Sequence, residues 1–130
     1  WSLFGTISHL ALAIGLNRHR RPSPANGVTV LDAECRRRTF WCAYTLDAYL
    51  SVALGRPRSF HDDDIDAELP SCVDDDEITA ERISVSTFRN GPPTMLAPIA
   101  HIKYELTASM IWYLFEIVKQ ANVVTGWRGY

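Results

Sequence analysis

Residues 29–55 read TVLDAECRRRTFWCAYTLDAYLSVALG and carry their own start and stop signals. Thr29 and Asp32 have the spacing of a capping box: the threonine hydroxyl accepts from the backbone three residues on, while the carboxylate reaches back. Neither Gly nor Pro interrupts Val30 to Leu54, and Gly55 with Pro57 supplies the stop. The stretch predicts a single α-helix of roughly 25 residues, about 37 Å long at 1.5 Å rise per residue. Phe40, Ala43, Leu46, Leu50 and Leu54 form one apolar stripe, with Trp41, Tyr44, Ala48 and Val52 round from it, so the second half is apolar on most sides. A helix of this kind sits at the centre of a bundle, with neighbours covering several faces.

Outward from this helix the same reading predicts two more. Leu3, Ile7, Leu10 and Ile14 recur at helical spacing from Trp1, with Phe4 and Ala11 widening the stripe. Gly15 ends that helix and Leu16 folds back on its last turn. Residues 17–28 are a basic connection, with Arg18, His19, Arg20 and Arg21 followed by Pro22, Pro24 and Gly27. A third helix is expected from Met95 to Val123, with Pro98 tolerated in its first turn, Ile99, Ile102, Leu106, Met110, Tyr113 and Ile117 along one face, and Gly126 as its end. Between the second and third helices, residues 61–81 hold ten of the chain's fifteen carboxylates. That loop is longer than compact domains usually allow, which leaves a functional loop, an irregular packed strap or partial disorder. Asp62 or Asp63 is a candidate cap for a short turn within it. The fold class is all-α: an irregular multi-helix bundle or array with a long central helix and an acidic loop.

With 130 residues the chain has the size of one modest domain or part of one. Its net charge of −2 argues against general electrostatic attraction to nucleic acid. It opens on Trp1 already in helical periodicity, which predicts a piece of a longer protein. The longest apolar stretch, around Ala108–Val118, is interrupted by Glu116 and is too short for a membrane span, which predicts a soluble intracellular setting. Cys35, Cys42 and Cys72 make an odd count in a chain rich enough in apolar residues to need no disulfide framework.

Glu34-Cys35-Arg36-Arg37-Arg38-Thr39-Phe40-Trp41, then Leu46-Asp47, then Gly55-Arg56-Pro57 and the acidic run into Leu69-Pro70 resemble the central motifs of the fungal-specific transcription factor domain. Ile14-Gly15-Leu16-Asn17-Arg18 is similar to the family's Leu-Gly-Leu-His-Arg-like step, with Ile for the first Leu and Asn for His. The motif block covers residues 11–72, and the third helix agrees only in being helical. The resemblance implies that residues 1–130 are a fragment of one regulatory domain, the middle region of a nuclear factor. That factor would bind DNA through a separate N-terminal cluster of two zincs and six cysteines, absent here. It further implies no cofactor in this segment, and as partners other segments of the parent factor, co-regulators or a small-molecule effector, with no membrane.

The residues themselves yield local expectations. Arg36, Arg37 and Arg38 point about 100° apart on a helix, so they cannot form one flat patch for DNA and read as structural ion pairs ahead of phosphate contacts. Asp47 shares the stripe of Phe40 and Leu50 and is costly to bury without a partner, for which Arg56 or Arg18 is a candidate. Cys35 and Cys42 lie about 10.5 Å apart along the axis, too far to share a zinc, and read as small buried apolar groups. Asp62, Asp64 and Asp66 imitate a calcium loop, but Ala67 and Val73 stand where Gly and Glu are required. His9, His19, His61 and His101 share no spacing with nucleophiles or ligands that suggests catalysis or metal binding. Phe40, Trp41, Tyr44, Tyr49, Trp112, Tyr113 and Phe115 read as core ahead of an effector pocket; such a pocket would take Arg38, Asp47 and Tyr113 as polar anchors. The class competing with a regulatory module is a helical enzyme domain using a metal on the acidic loop.

Overall fold

The central helix starts where its cap predicts. Thr29 Oγ1 accepts from Asp32 N at 3.0 Å and Asp32 Oδ2 accepts from Thr29 N at 3.2 Å, closing the capping box. The Thr29 hydroxyl and N–H also hold the Asp32 carboxyl below its ordinary range. The computed structural model describes residues 2–85 and 91–125, with side chains of the last helix to residue 120. Helix α1 spans Ser2–Ala13, α2 Val30–Leu54 and α3 Leu96–Thr125. Among the described residues there is no strand, only two isolated bridges, Ser23 with Val28 and Ile78 with Ile83, and the fold is all-α as expected.

Glycine ends both of the first two helices by one device. Gly15 at φ 66° donates to Leu12 O at 2.9 Å, and Leu16 N crosses back to Ala11 O at 2.9 Å. Gly55 at φ 60° repeats this, with Arg56 N on Ser51 O at 2.9 Å. Both are Schellman closures, which need a left-handed residue and so favour glycine. They turn the chain back toward α2 at each side.

Both α1 and α3 pack on α2. The core is Phe40, Trp41 and Tyr44 of α2 against Phe60, Phe4, Ala11 and Ile102. Phe40 and Phe60 meet edge to face with centroids 5.5 Å apart, and Trp41 and Tyr44 likewise at 5.2 Å. Full burial of one such side chain contributes about 2–3 kcal/mol.

The buried faces differ in part from the periodic stripes. On α1 the line Phe4, Ser8, Ala11 faces inward, while Leu3, Ile7, Leu10 and Ile14 face out. Small residues let α1 approach α2 closely, and Ser8 can be buried because its hydroxyl donates to Gly5 O at 2.9 Å. On α2, Leu46, Tyr49, Val52 and Leu54 are exposed, because the covering segment lies over Trp41, Tyr44, Asp47 and Ser51 instead. On α3, Ile99 and Ile102 are buried but Met110, Tyr113 and Ile117 are not.

Of the three readings left open for the acidic segment, residues 55–85 form a packed irregular strap. Phe60 and Val73 are buried, Ile65, Ala67 and Leu69 pack on the core, and two short 3-10 turns, Asp62–Asp64 and Asp75–Glu77, interrupt it. Neither Asp62 nor Asp63 caps the first turn: its N-cap is His61, which makes no side-chain cap bond. In the second, Glu77 Oε2 accepts from Asp74 N at 2.9 Å. Gly126, expected to end α3, lies outside the described residues.

The capping box gives a direct check. Thr29→Ala should lower the unfolding free energy by ~1 kcal/mol in urea titration. Asp32→Ala combined with it should add less than the sum of the single losses, because the two side chains close one box.

Candidate functional site

The motif on α2 builds an internal ion cluster around a residue that the sequence reading assigned no role. Glu34 is 1% exposed and accepts from Arg37 Nη1 at 2.9 Å, Arg38 Nε at 3.0 Å and the backbone N–H of Ser71 at 2.9 Å. One helical turn sets this up, since Arg37 and Arg38 stand three and four residues on and share the face of Glu34. Each guanidinium then reaches the strap. Arg38 bonds the Asp75 carboxylate and Val73 O, the latter at 3.1 Å, and Arg37 Nη2 lies 3.6 Å from Glu68. Burial opposes the charge of Arg38, but its bonds to Glu34 and Asp75 outweigh this and hold its pKa above the ordinary value.

Arg36 points elsewhere. Its Nη2 donates to Ile14 O at 2.9 Å and Gly15 O at 3.1 Å, satisfying carbonyls at the end of α1. The three arginines therefore diverge: two join α2 to the strap and one joins α2 to α1.

A second buried carboxylate closes the other end of the strap. Asp47 is wholly buried, and its Oδ2 accepts from Ser59 N at 2.8 Å and Phe60 N at 3.1 Å. Its cation is Arg58 at 3.7 Å, rather than Arg56 or Arg18. The Schellman turn at Gly55 throws Gly55, Arg56 and Pro57 out to solvent before the chain returns, so the first arginine back over α2 is Arg58. Arg18 instead faces Asp66 at 4.0 Å. The Arg58 guanidinium also lies 4.3 Å above the Tyr44 ring. Tyr44 donates its hydroxyl to Asp62 Oδ1 at 2.8 Å, and burial first, then the Asp62 carboxylate, pushes its pKa up to about 12. Ser109 of α3 donates to the other oxygen of Asp62.

Between these ends, Trp41 Nε1 donates to Glu68 O at 2.8 Å, and Asn17 Nδ2 to Asp64 O at 2.7 Å. Asn17 O accepts from Asp66 N and Ala67 N at 3.1 and 3.0 Å, so one buried asparagine ties the basic connection to the strap. Phe40 lies beneath, wholly in the core.

Arg38, Asp47 and Tyr113 do not converge on a pocket. Arg38 borders a groove of about 340 Å³ with Trp41, Thr45, Pro70, Met95 and Ile102; Asp47 is sealed by its strap bonds, and Tyr113 stands in solvent. Of the seven aromatics, Phe40, Trp41 and Tyr44 are core, while Tyr49, Trp112, Tyr113 and Phe115 are exposed. Cys35 and Cys42 are exposed rather than buried, because the faces of α2 that receive α1, α3 and the strap are filled by Phe40, Trp41 and Tyr44; all three cysteines are free. The calcium-like acids part company, with Asp62 turned to Tyr44 and Ser109, and Asp66 to His19 N at 2.8 Å. Among the described residues no group of three His, Cys, Asp or Glu side chains is placed to hold a metal.

Sequence reasoning missed Glu34, Asn17 and Arg58 as organising residues. Glu34 had a readable signal in its spacing to Arg37 and Arg38. Arg58 had none, since only the return of the chain after Gly55 brings it to Asp47.

The profile of the "Fungal specific transcription factor domain" matches residues 1–118, through most of α3. This chain belongs to that family. The fungal-specific transcription factor domain is a regulatory domain of fungal transcription factors, and the relatives agree. The "Activator of stress genes 1" of Saccharomyces cerevisiae is 38% identical over 130 residues, covering 96% of this chain and 13% of that protein. The "Pyrimidine pathway regulatory protein 1" of the same yeast is 29% identical, over 98% of this chain and 15% of that protein. The "Transcriptional activator protein acu-15" of Neurospora crassa is 32% identical, over 72% and 10% respectively. The chain thus spans about an eighth of the length of the first of these relatives. No solved structure matches it significantly.

For this fungal-specific transcription factor domain the buried carboxylates should be the costly positions. Glu34→Ala removes the buried partner of two half-buried guanidiniums and of the Ser71 N–H, and should cost about 3 kcal/mol in chemical denaturation. Asp47→Ala should cost about 2–3 kcal/mol through the N–H groups of Ser59 and Phe60. Asp63→Ala, exposed on the strap, should change little. Alkaline pH offers a separate test at Tyr44. Its folded pKa lies above the unfolded value near 10, so its contribution is whole below pH 10 and fades as pH rises toward 12. Melting temperatures across that window should fall more steeply for the wild type than for Tyr44→Phe.

Proposed function

We propose that this chain is the middle, regulatory part of a longer zinc-cluster transcription factor that works in the nucleus. In this reading zinc and DNA are held by a separate segment of the factor, and the present segment has neither a cofactor nor a catalytic role. Its partners are other segments of the factor, together with co-regulators or a small-molecule effector; DNA is reached only through the separate domain. The observation that supports this is where the charges go. Arg36, Arg37 and Arg38, the strongest basic run on α2, are engaged by Ile14, Gly15, Glu34, Glu68, Asp75 and Val73, and none is left to serve as a phosphate contact. The cluster fixes how the strap and α1 dock on α2, so the segment conveys regulation through docking geometry. Ligands or partners would act by favouring one docked arrangement over another.

The competing metal-enzyme reading is not favoured by the strap, where Asp62, Asp66, Glu68 and Asp75 turn to Arg18, Arg37, Arg38, the His19 N–H, Tyr44 and Ser109 instead of converging. A test separates regulation from DNA binding in the whole factor. Glu34→Gln keeps the shape of the side chain but removes its charge. It should change reporter output severalfold at equal protein level, while the affinity of the factor for its DNA site and its zinc content stay unchanged. A matching loss of DNA affinity would mean that this segment belongs to the DNA-binding machinery.

A further inference from the structure

The second half of α3 is a helix without a sheath. Its first half docks on the core through Ile102, with Ile99 buried and Leu106 partly covered; beyond that point the helix runs on to Thr125, about 28 Å at 1.5 Å per residue. Met110, Ile111, Trp112, Tyr113 and Leu114 are consecutive, and each is 55–68% exposed. Five successive residues at about 100° per step pass right round the axis, so the apolar surface is a full collar instead of a stripe. Leu106 to Phe115 carry no charged side chain, and the first charges beyond them, Glu116 and Lys119, pair with each other at 3.0 Å within the helix. A helix apolar on every side is stable in water only when enclosed. No described helix is long and apolar enough to cross a membrane.

The surface also has a shape. Thr107 and Ala108 form the floor of a depression of about 470 Å³ walled by Tyr104, Ile111, Trp112 and Phe115. Small residues flanked by large ones at three- and four-residue spacing make a hole for a side chain projecting from a neighbouring helix. One neighbour, however, covers one side. A second copy of this chain, meeting α3 through the same face on both molecules, would leave the opposite side of the collar wet.

We infer that the segment Leu106–Phe115 is inserted between at least two further apolar-faced helices of the same polypeptide, one of which seats a large aliphatic side chain over Ala108. This rests on the reading above that the chain is part of a longer factor. In the relatives that match it nearly end to end the matched segment is only 13% and 15% of the length, so a factor of that size has ample chain to supply those helices. Enclosure of the collar makes α3 the element through which this segment is continuous with the remainder of the regulatory region.

The collar carries its own probes. Met110, Trp112, Tyr113 and Phe115 are all side chains that hydroxyl radicals oxidise, and together they sample every direction round the helix. The whole polypeptide, purified from cells, is footprinted natively and after denaturation, with the sites read by mass spectrometry. All four should oxidise at least roughly tenfold more slowly in the native state, as close-packed interior groups do, and the protection should persist on dilution. A native rate equal to the denatured rate at any one of the four overturns the inference, because that side of the collar is then open. Protection that disappears on dilution into monomer also overturns it and assigns the face to a second copy. The intact mass separates the two levels: a polypeptide no longer than the present chain defeats the longer-factor reading itself, whereas a longer one with a reactive collar defeats only the insertion.

Discussion

One buried carboxylate organises this domain. Glu34 lies beneath the strap and accepts from two arginines and a backbone N–H. An ionised carboxylate in such a place is tolerable because each oxygen is met by charge-assisted donors. The same geometry makes it unforgiving, since removing both arginines would leave a charge buried without compensation. Because both arginines extend beyond Glu34 to strap atoms, the cluster fixes the position of residues 68–75 on α2, and with them the lid over Trp41.

Asp47 does the complementary work one end further along. Its grip on Ser59 and Phe60 sets where the strap starts, and thereby places Phe60 against Phe40. A segment with only two short 3-10 turns is thus held at both ends and bonded to Asn17 and Tyr44 between them. Its many acidic residues fit this role: they answer the arginines and histidine of α2 and of the basic connection. The strap is thereby bonded to α2, to Ser109 of α3 and to Asn17 just beyond α1.

The domain is unevenly finished. The α2 face toward the strap is fully covered, while Leu3, Ile7 and Leu10 of α1 and the collar of α3 present apolar surface to water. Apolar area of that extent is characteristic of interfaces, and its placement on the two outer helices gives the segment a covered interior and two unfinished flanks.

Much was legible in the sequence where the determinant is local. The Thr29–Asp32 box, the glycine closure at Gly55 and the absence of breakers from Val30 to Leu54 set the ends of α2 to the residue, because caps and left-handed turns depend on neighbours within four or five positions. The motif of Glu34 to Trp41 with Gly55-Arg56-Pro57 was enough to identify the family. Only the tertiary structure decided which faces are buried, that Asp47 takes Arg58 instead of Arg56, that Glu34 is the hub, and that Cys35 and Cys42 face out. Periodicity marks an apolar face but not its neighbour, and a loop of some thirty residues can return over a helix in many registers. The register here was chosen by long-range pairing of buried charges and N–H groups, a choice that no local spacing encodes.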